Sequence, residues 1–411
     1  MGEPVVHRAL PLYVSGGIYL SDVALGLLLV VSLLAWPFKT IGPRAFVLPL
    51  IGLVALAYLT AIPALVPSFA FYSAGRWLLA LLVFLWLVQP TIDAPHTVRV
   101  FLAGMMLHVL VAIFQVLGQS PLGLPGELAL PPAVSGAAII STGQERWLRA
   151  YGLTFHPNVL GGFLAVAVII GLPLLRRWYW KIVWVACWLG LFLTFSRAAW
   201  IAAVVGSLPV MVWLYRHKSA WRRHMAFSLA GALVVLVLSG IIWWPQLSVR
   251  LQPLSRLLPE AVSTPVAAPI SPYEARSIDE RVDFVRLSLD LIAERPLVGV
   301  GAGSFPVAIV EQELMVTAQY AHLVLLNLAA EVGVLGALLW LCLWVAGGWY
   351  LIRHWRQDDP WLVAFLSAWL ALGMISLFDS YPWSLNAGRL LSMFVLGLAA
   401  NRLAGIHQNR V

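Results

Sequence analysis

Charge and cysteine are what this sequence has least of. Asp, Glu, Lys and Arg make up only 11% of its 411 residues, and the two cysteines, Cys187 and Cys342, each sit inside an apolar run. Isolated thiols in apolar surroundings pack as small hydrophobes, so neither a disulfide framework nor a thiolate metal site is expected. No metal and no cofactor are implied. Lysine is nearly missing too, with only Lys39, Lys181 and Lys218. The formal charge of +8 comes from cations scattered between apolar runs, without the basic stripe that binding to nucleic acid needs. What is abundant is apolar surface. At 61% hydrophobic residues, the chain carries more of it than a water-facing core of this length can hide, so it is expected to be an integral membrane protein with the lipid bilayer as its first partner. The apolar runs are continuous and do not alternate at period two, which excludes transmembrane β-strands. The expected fold class is all-α: a polytopic membrane helical bundle of about 11–12 transmembrane helices with one long extracytoplasmic loop containing helix.

A helix crosses the hydrocarbon layer in roughly 20 apolar residues. That template places spans near 18–36, 45–62, 70–88, 97–117, 155–175, 178–195, 197–215 and 225–244, and three more near 321–349, 360–378 and 388–403. The chain thus divides into a transmembrane bundle (1–244), an extracytoplasmic loop subdomain (245–320) and C-terminal transmembrane helices (321–411). Lys and Arg in short loops set the orientation. Arg176, Arg177, Lys181 and Arg216, Lys218, Arg222, Arg223 mark one side as cytoplasmic, and Lys39, Arg44, Arg99, Arg353, Arg356 and Arg402 fall on that side when the spans alternate. The 118–150 loop, the 245–320 segment and the FDSYPW turn (378–383) then face outward. Every outward cation is an Arg, whose fork grips phosphate oxygens where an ammonium acts as a point charge; with three lysines in all, chance explains the asymmetry equally well. No removable signal is expected, since MGEPVVHRALPLYVSGG lacks a basic segment leading into a short apolar one. An odd number of spans leaves the N-terminus outside, unless residues 4–17 form a partial helix or an earlier span once preceded them.

About half of the 18 acidic residues lie between Glu260 and Glu313, so the outer loop is a charged workplace held against the bilayer. Residues 245–273 are rich in Pro and Ser and are expected to form an irregular connector. Ser277 and Glu280 have capping-box spacing, which predicts a helix start there. Ile278, Val282, Val285, Leu289 and Ile292 supply its apolar face, and Glu294, Arg295 and Pro296 end it. Arg281 then lies in the first turn and Arg286 in the second, on different faces, because five residues rotate a helix by roughly 140°. An Arg in a first turn opposes the helix dipole, which suits a residue aimed at an anion; the alternative is a solvated Arg paired with Glu280 or Asp283. The GVGAG run (299–303) lacks the βαβ context of a phosphate-cradling loop, so its glycines are expected to serve tight turning and close backbone approach.

Arg197, in LTFSRAAW, should lie near the outer interface. A cation costs about 2.5–3.5 kcal/mol at the bilayer centre and less near the surface, which makes Arg197 a functional candidate, with snorkelling to headgroups as the alternative. His322 opens an apolar run on the same side, and its imidazole can accept a proton at neutral pH, or simply cap and anchor the helix. The other outward polar groups are Arg76, His156 and Asn158 in FHPN, Asp379 and Tyr381 in FDSYPW, and Arg389. With Arg286 they are candidates for substrate binding.

The SR of a span junction, the G-x-x-x-HPN-x-L-G-G segment (152–162) and the R-x-x-x-x-R helix leading into ERPLVGVGAGSF come in a definite order. They are followed by the AH that opens the next run, with AAEVGVLG after it, and by the late FDSYPW. Together they resemble the bacterial O-antigen ligase and O-antigen polymerase superfamily, over about residues 150–400. The resemblance implies a metal-independent, inverting membrane glycosyltransferase of the GT-C type in the bacterial inner membrane, its catalytic face periplasmic. Its donor would be an undecaprenyl-diphosphate-linked glycan and its acceptor a glycan or glycolipid. The family's essential arginines carry over onto Arg197 and Arg281, and its essential His onto His322. Leu323 stands where members commonly have Asn, and Ser380 where many have His. Within the family a polymerase and a protein O-oligosaccharyltransferase are the alternatives. A transporter or lipid flippase would need its polar residues at mid-membrane depth, whereas here they gather at the outer interface.

Overall fold

The fold is that of a computed structural model, which describes residues 39–134, 136–142, 145–255, 272–311 and 320–408 and scattered positions between 23 and 30. The first predicted span and residues 4–17 therefore lie largely outside the described residues, as do the side chains of the predicted capping box. In chain order the helices α1 (Arg44–Ala61), α2 (Pro67–Leu87) and α3 (Ala94–Gly118) come first. A hairpin of β1 (Ile139–Thr142) and β2 (Glu145–Leu148) follows, antiparallel, with Ile139 opposite Leu148. Then come α4 (Pro157–Gly171), α5 (Trp178–Leu193), α6 (Arg197–His217), α7 (Ser219–Ile242), α8 (Trp244–Ser255), α9 (Pro272–Glu294) and α10 (Phe305–Glu311). The last are α11 (Val324–Val332), α12 (Val334–Arg353), α13 (Pro360–Ile375), α14 (Tyr381–Ser384) and α15 (Asn386–Gln408).

Among the described residues eight helices are long and apolar enough to cross a membrane, namely α1, α2, α3, α4 with its short extension to Leu174, α6, α7, α12 and α15. The shorter apolar helices α5 and α13 occupy two further predicted spans. The protein is an all-α, multi-pass membrane protein, as its composition requires. Among the spans α4 is the most enclosed, with 89% of its window buried against 28% for α7 and α12, so α4 is wrapped by protein while α7 and α12 turn most of their surface outward.

Four details differ from the sequence expectation. The predicted span 321–349 is two helices, α11 and α12, parted at Gly333. That residue adopts φ +83°, and a Cβ there would stand 2.2 Å from the Leu297 carbonyl oxygen, while the next amide, Val334 N–H, donates to Pro296 O. Residues 245–255 of the predicted connector are helical, within α8, with Pro245 in the first turn where its missing N–H is no loss, and α8 packs on β1 and α7. α9 begins at Pro272, so Arg281 stands in its third turn, clear of the dipole's reach. Finally, α9 buries Phe284, Ser288 and Leu291, whereas Val282, Val285 and Leu289 are exposed. Two stripes share the helical period, and the one covered is the one that meets Phe305 and Val300, with Phe284 packed near Phe305.

Packing groups the chain into two compact units, Pro95–Arg281 and Met1–Ala94 with Val282–Val411. In the first, α4 packs on α5 and α6, and α5 on α7. In the second, α2 packs on α1 and α15, α15 on α13, and α11 on α12. There the glycines of GVGAG allow close approach. The amides of Val300 and Gly301 donate to the carbonyls of Ala330 and Glu331 at 2.9 Å, and a Cβ on Gly299 would lie 2.5 Å from both carbonyl oxygens.

Candidate functional site

Within Pro95–Arg281 the polar centre is the turn between α5 and α6. α5 ends at Thr194, whose hydroxyl donates to Leu191 O at 2.7 Å and accepts from Ser196 N–H at 3.3 Å. Phe195, between them, has φ +48°, a left-handed conformation that costs a side-chain-bearing residue about 1–2 kcal/mol and persists only where its surroundings over-determine it. Its ring packs against Phe192 and Trp200 at 5.4 and 6.1 Å. α6 begins at Arg197, with no acidic residue in its first turn and no side-chain cap from Ser196. Arg197 is half-buried, and its Nη1 donates to Arg250 O of α8 at 3.3 Å.

The HPN segment meets the same turn. His156 is the N-cap of α4, its Nδ1 accepting from Asn158 N–H at 3.1 Å, which satisfies one of the free donors of a helix start. The Asn158 Oδ1 accepts from Arg149 Nη2 at 2.7 Å, and the same guanidinium donates through Nε to Thr194 O at 2.8 Å. Gly161, on the next turn of α4, lets α6 come close; a Cβ there would meet Ala199 Cβ at 2.9 Å and Ser196 Cβ at 3.1 Å. Sequence reasoning picked out His156, Asn158 and Arg197 and missed Arg149, which carries no motif and lies just after the hairpin. It also missed Gln115, fully buried in α3, whose Oε1 accepts from the Tyr151 and Gly152 amides at 3.1 and 2.9 Å. Arg281 closes this unit. It is half-buried, and among the described residues its Nε has no hydrogen-bond partner.

In the other unit the polar centre is Glu331. Its side chain is fully buried, Oε1 accepting from Phe305 N–H at 3.2 Å and Oε2 from Trp383 Nε1 at 2.8 Å. It thus joins α10 and α14 to α11. Glu331 is the only acidic residue between Glu313 and Asp358, and that isolation was the signal sequence reasoning passed over. Nearby, the buried Arg389 donates to Trp383 O at 2.6 Å, Ser384 O at 3.2 Å and Ser73 Oγ at 3.1 Å. Its guanidinium lies 5.2 Å from the ring centroid of Trp77, which is stacked on Trp383, a contact that partly replaces lost hydration. Arg76, one turn after Ser73, donates to the Tyr72 hydroxyl and lies over that ring. Arg76, Tyr381 and Arg389 therefore share one region of α2, α14 and α15.

His322 precedes α11, half-buried and edge-on to Phe284 at 6.0 Å. The loop that presents it is held from within: Asn327, fully buried, accepts from Ala321 N–H at 3.1 Å and donates back to Ala321 O. Asp379 Oδ1 accepts from Ser380 N–H at 2.9 Å. The Tyr381 hydroxyl is buried with no hydrogen-bond partner among the described residues, and burial together with the Asp379 carboxylate holds its pKa well above the ordinary phenol value. Arg286 is different in kind. Its side chain is 74% exposed and pairs with Asp283 at 3.7 Å, an ion pair of little weight in water.

Residues 182–341 match the family model described as O-antigen ligase. The chain carries an O-antigen ligase domain. The domain runs from α5 into α12 and contains Arg197, Arg281, Arg286, His322 and Glu331, while Arg149, the HPN cap and the Arg76–Arg389 region lie outside it. No curated protein and no solved structure matches the chain. The O-antigen ligase domain and the apolar helices together fit a multi-pass membrane protein.

Proposed function

We propose that the protein is an inverting, metal-independent glycosyltransferase that moves a glycan from an undecaprenyl-diphosphate carrier to an acceptor hydroxyl on the periplasmic side of the inner membrane. The observation that carries this reading is Arg197 at the start of α6, a helix end without a side-chain cap. A cation there opposes the helix dipole, and the backbone N–H groups of a first turn have no intrahelical acceptor, so the pair of features suits an anionic group such as a phosphate. In the proposed reaction Arg197 and Arg281 hold the diphosphate. The acceptor oxygen attacks the anomeric carbon as the bond from that carbon to the phosphate oxygen breaks. His322 takes the acceptor proton, and undecaprenyl diphosphate leaves with the electron pair, its charge met by the arginines. Attack opposite the leaving group inverts the anomeric centre. Arg76, Arg286, His156, Asn158, Asp379, Tyr381 and Arg389 are proposed to bind or frame the substrates, His156 and Asn158 through the cap they build.

The test replaces Arg197, Arg281 and His322 singly by Ala and measures glycan transfer from purified lipid-diphosphate donor. Each is expected to lose activity by at least about a hundredfold. Unimpaired transfer in all three at normal expression sinks the assignment, and activity abolished by EDTA and restored by metal contradicts the metal-free mechanism. Incubation with donor alone tests the polymerase reading, since a ladder of longer lipid-linked glycans means polymerase.

A further inference from the structure

We infer that Arg149 is a positioning residue that sets Arg197 by holding the strained turn before it; the inference rests on the reading of Arg197 as a diphosphate ligand. The turn from Thr194 to Ser196 contains the left-handed Phe195, φ +48°, and such a conformation needs external support in a residue with a side chain. Several bonds supply it, among them these four. Thr194 Oγ1 closes back on Leu191 O at 2.7 Å, Trp200 Nε1 donates to the same carbonyl at 2.9 Å, and Ala150 N–H donates to Leu193 O at 3.0 Å. The fourth, from Arg149 Nε to Thr194 O at 2.8 Å, is made by the only charged group among them. It acts on the carbonyl three residues before Arg197.

Arg149 is only 7% exposed, and burying a charge for one hydrogen bond would be a poor exchange unless the rest of the fork were also used. It is, because Nη2 donates to Asn158 Oδ1 at 2.7 Å, and Asn158 lies in the first turn of α4, capped by His156. Arg149 thus ties the α5–α6 turn to the start of α4, the most enclosed of the candidate spans among the described residues. Its own backbone is fixed as well, Arg149 N–H donating to Ala138 O at 3.2 Å beside the hairpin. Gly161 completes the seat by letting Ser196 and Ala199 press against α4. A planar fork can brace two acceptors in fixed directions, which a lysine ammonium cannot reproduce.

The test is a double-mutant cycle on the full chain in nanodiscs, with undecaprenyl diphosphate as the probe and its apparent affinity as the readout. Arg197→Ala and Arg149→Met are each expected to weaken binding by about ten- to a hundredfold. The double variant is expected to bind no more weakly than Arg197→Ala alone, because a residue that acts through Arg197 has nothing left to act on. Arg149→Lys, which keeps the charge and loses the fork, should fall between wild type and Arg149→Met, and it carries the same cycle if Arg149→Met does not fold. Multiplying losses would overturn the inference, as would unchanged binding in the Arg149 variants while Arg197→Ala loses it. Unchanged binding in Arg197→Ala sinks the underlying clamp.

Discussion

Arg149 and Glu331 do similar work by opposite chemistry. Arg149 sends donors outward to two acceptors in different segments, and the carboxyl oxygens of Glu331 gather donors from two segments. In low dielectric such hubs are strong when satisfied and expensive when broken. Glu331→Ala strands the Phe305 N–H and the Trp383 Nε1–H, each worth about 1–3 kcal/mol when left unpaired. The thermal midpoint in detergent is expected to fall clearly for Glu331→Ala and less for Glu331→Gln, which keeps one acceptor oxygen; equal midpoints for the three proteins would show that Glu331 is not a hub. Sequence position marked Arg197 and His322 as candidates because each interrupts an apolar run. It was silent on Arg149, because a buried Arg is recognisable only by the acceptors that surround it.

At the scale of elements, nearly every span was legible, because a continuous apolar run of membrane length has one stable solution in lipid. What misled was the joint at Gly333. The run 321–349 is apolar enough to read as one helix, yet it breaks where the loop after α9 must touch it. There φ is +83° and Leu297 O would stand 2.2 Å from a Cβ. Gly333→Ala is therefore expected to lower the thermal midpoint sharply. By contrast Gly104→Ala, in α3 with nothing within 4 Å of the added carbon, should leave the midpoint unchanged or raise it, since Ala is favoured over Gly in a helix by about 1 kcal/mol. Similar shifts for the two would remove the joint's significance. The choice of buried stripe on α9 was equally beyond the sequence: both stripes fit the helical period, and only the position of Phe305 and Val300 selects Phe284, Ser288 and Leu291.

For the whole molecule, the distribution of Lys and Arg predicts which ends face the cytoplasm. With Cys342 replaced by Ala, a Glu145→Cys variant in the hairpin should react with an impermeant thiol reagent added outside the inner membrane. Ser219→Cys, at the exposed start of α7 beside Lys218, should react only after the membrane is opened. The reverse labelling would invert the proposed catalytic face. Composition and run length by themselves determined that this is a multi-pass all-α protein, since apolar surplus and continuous runs admit no other packing, and the order of short motifs pointed to the O-antigen ligase domain. Tertiary structure alone decided what those motifs do locally. HPN became a helix cap braced by Arg149, GVGAG a close backbone contact with α11, and the acid of AAEVGVLG a buried hub, because hydrogen-bond partners distant in sequence are chosen by packing and leave no periodic trace in the chain.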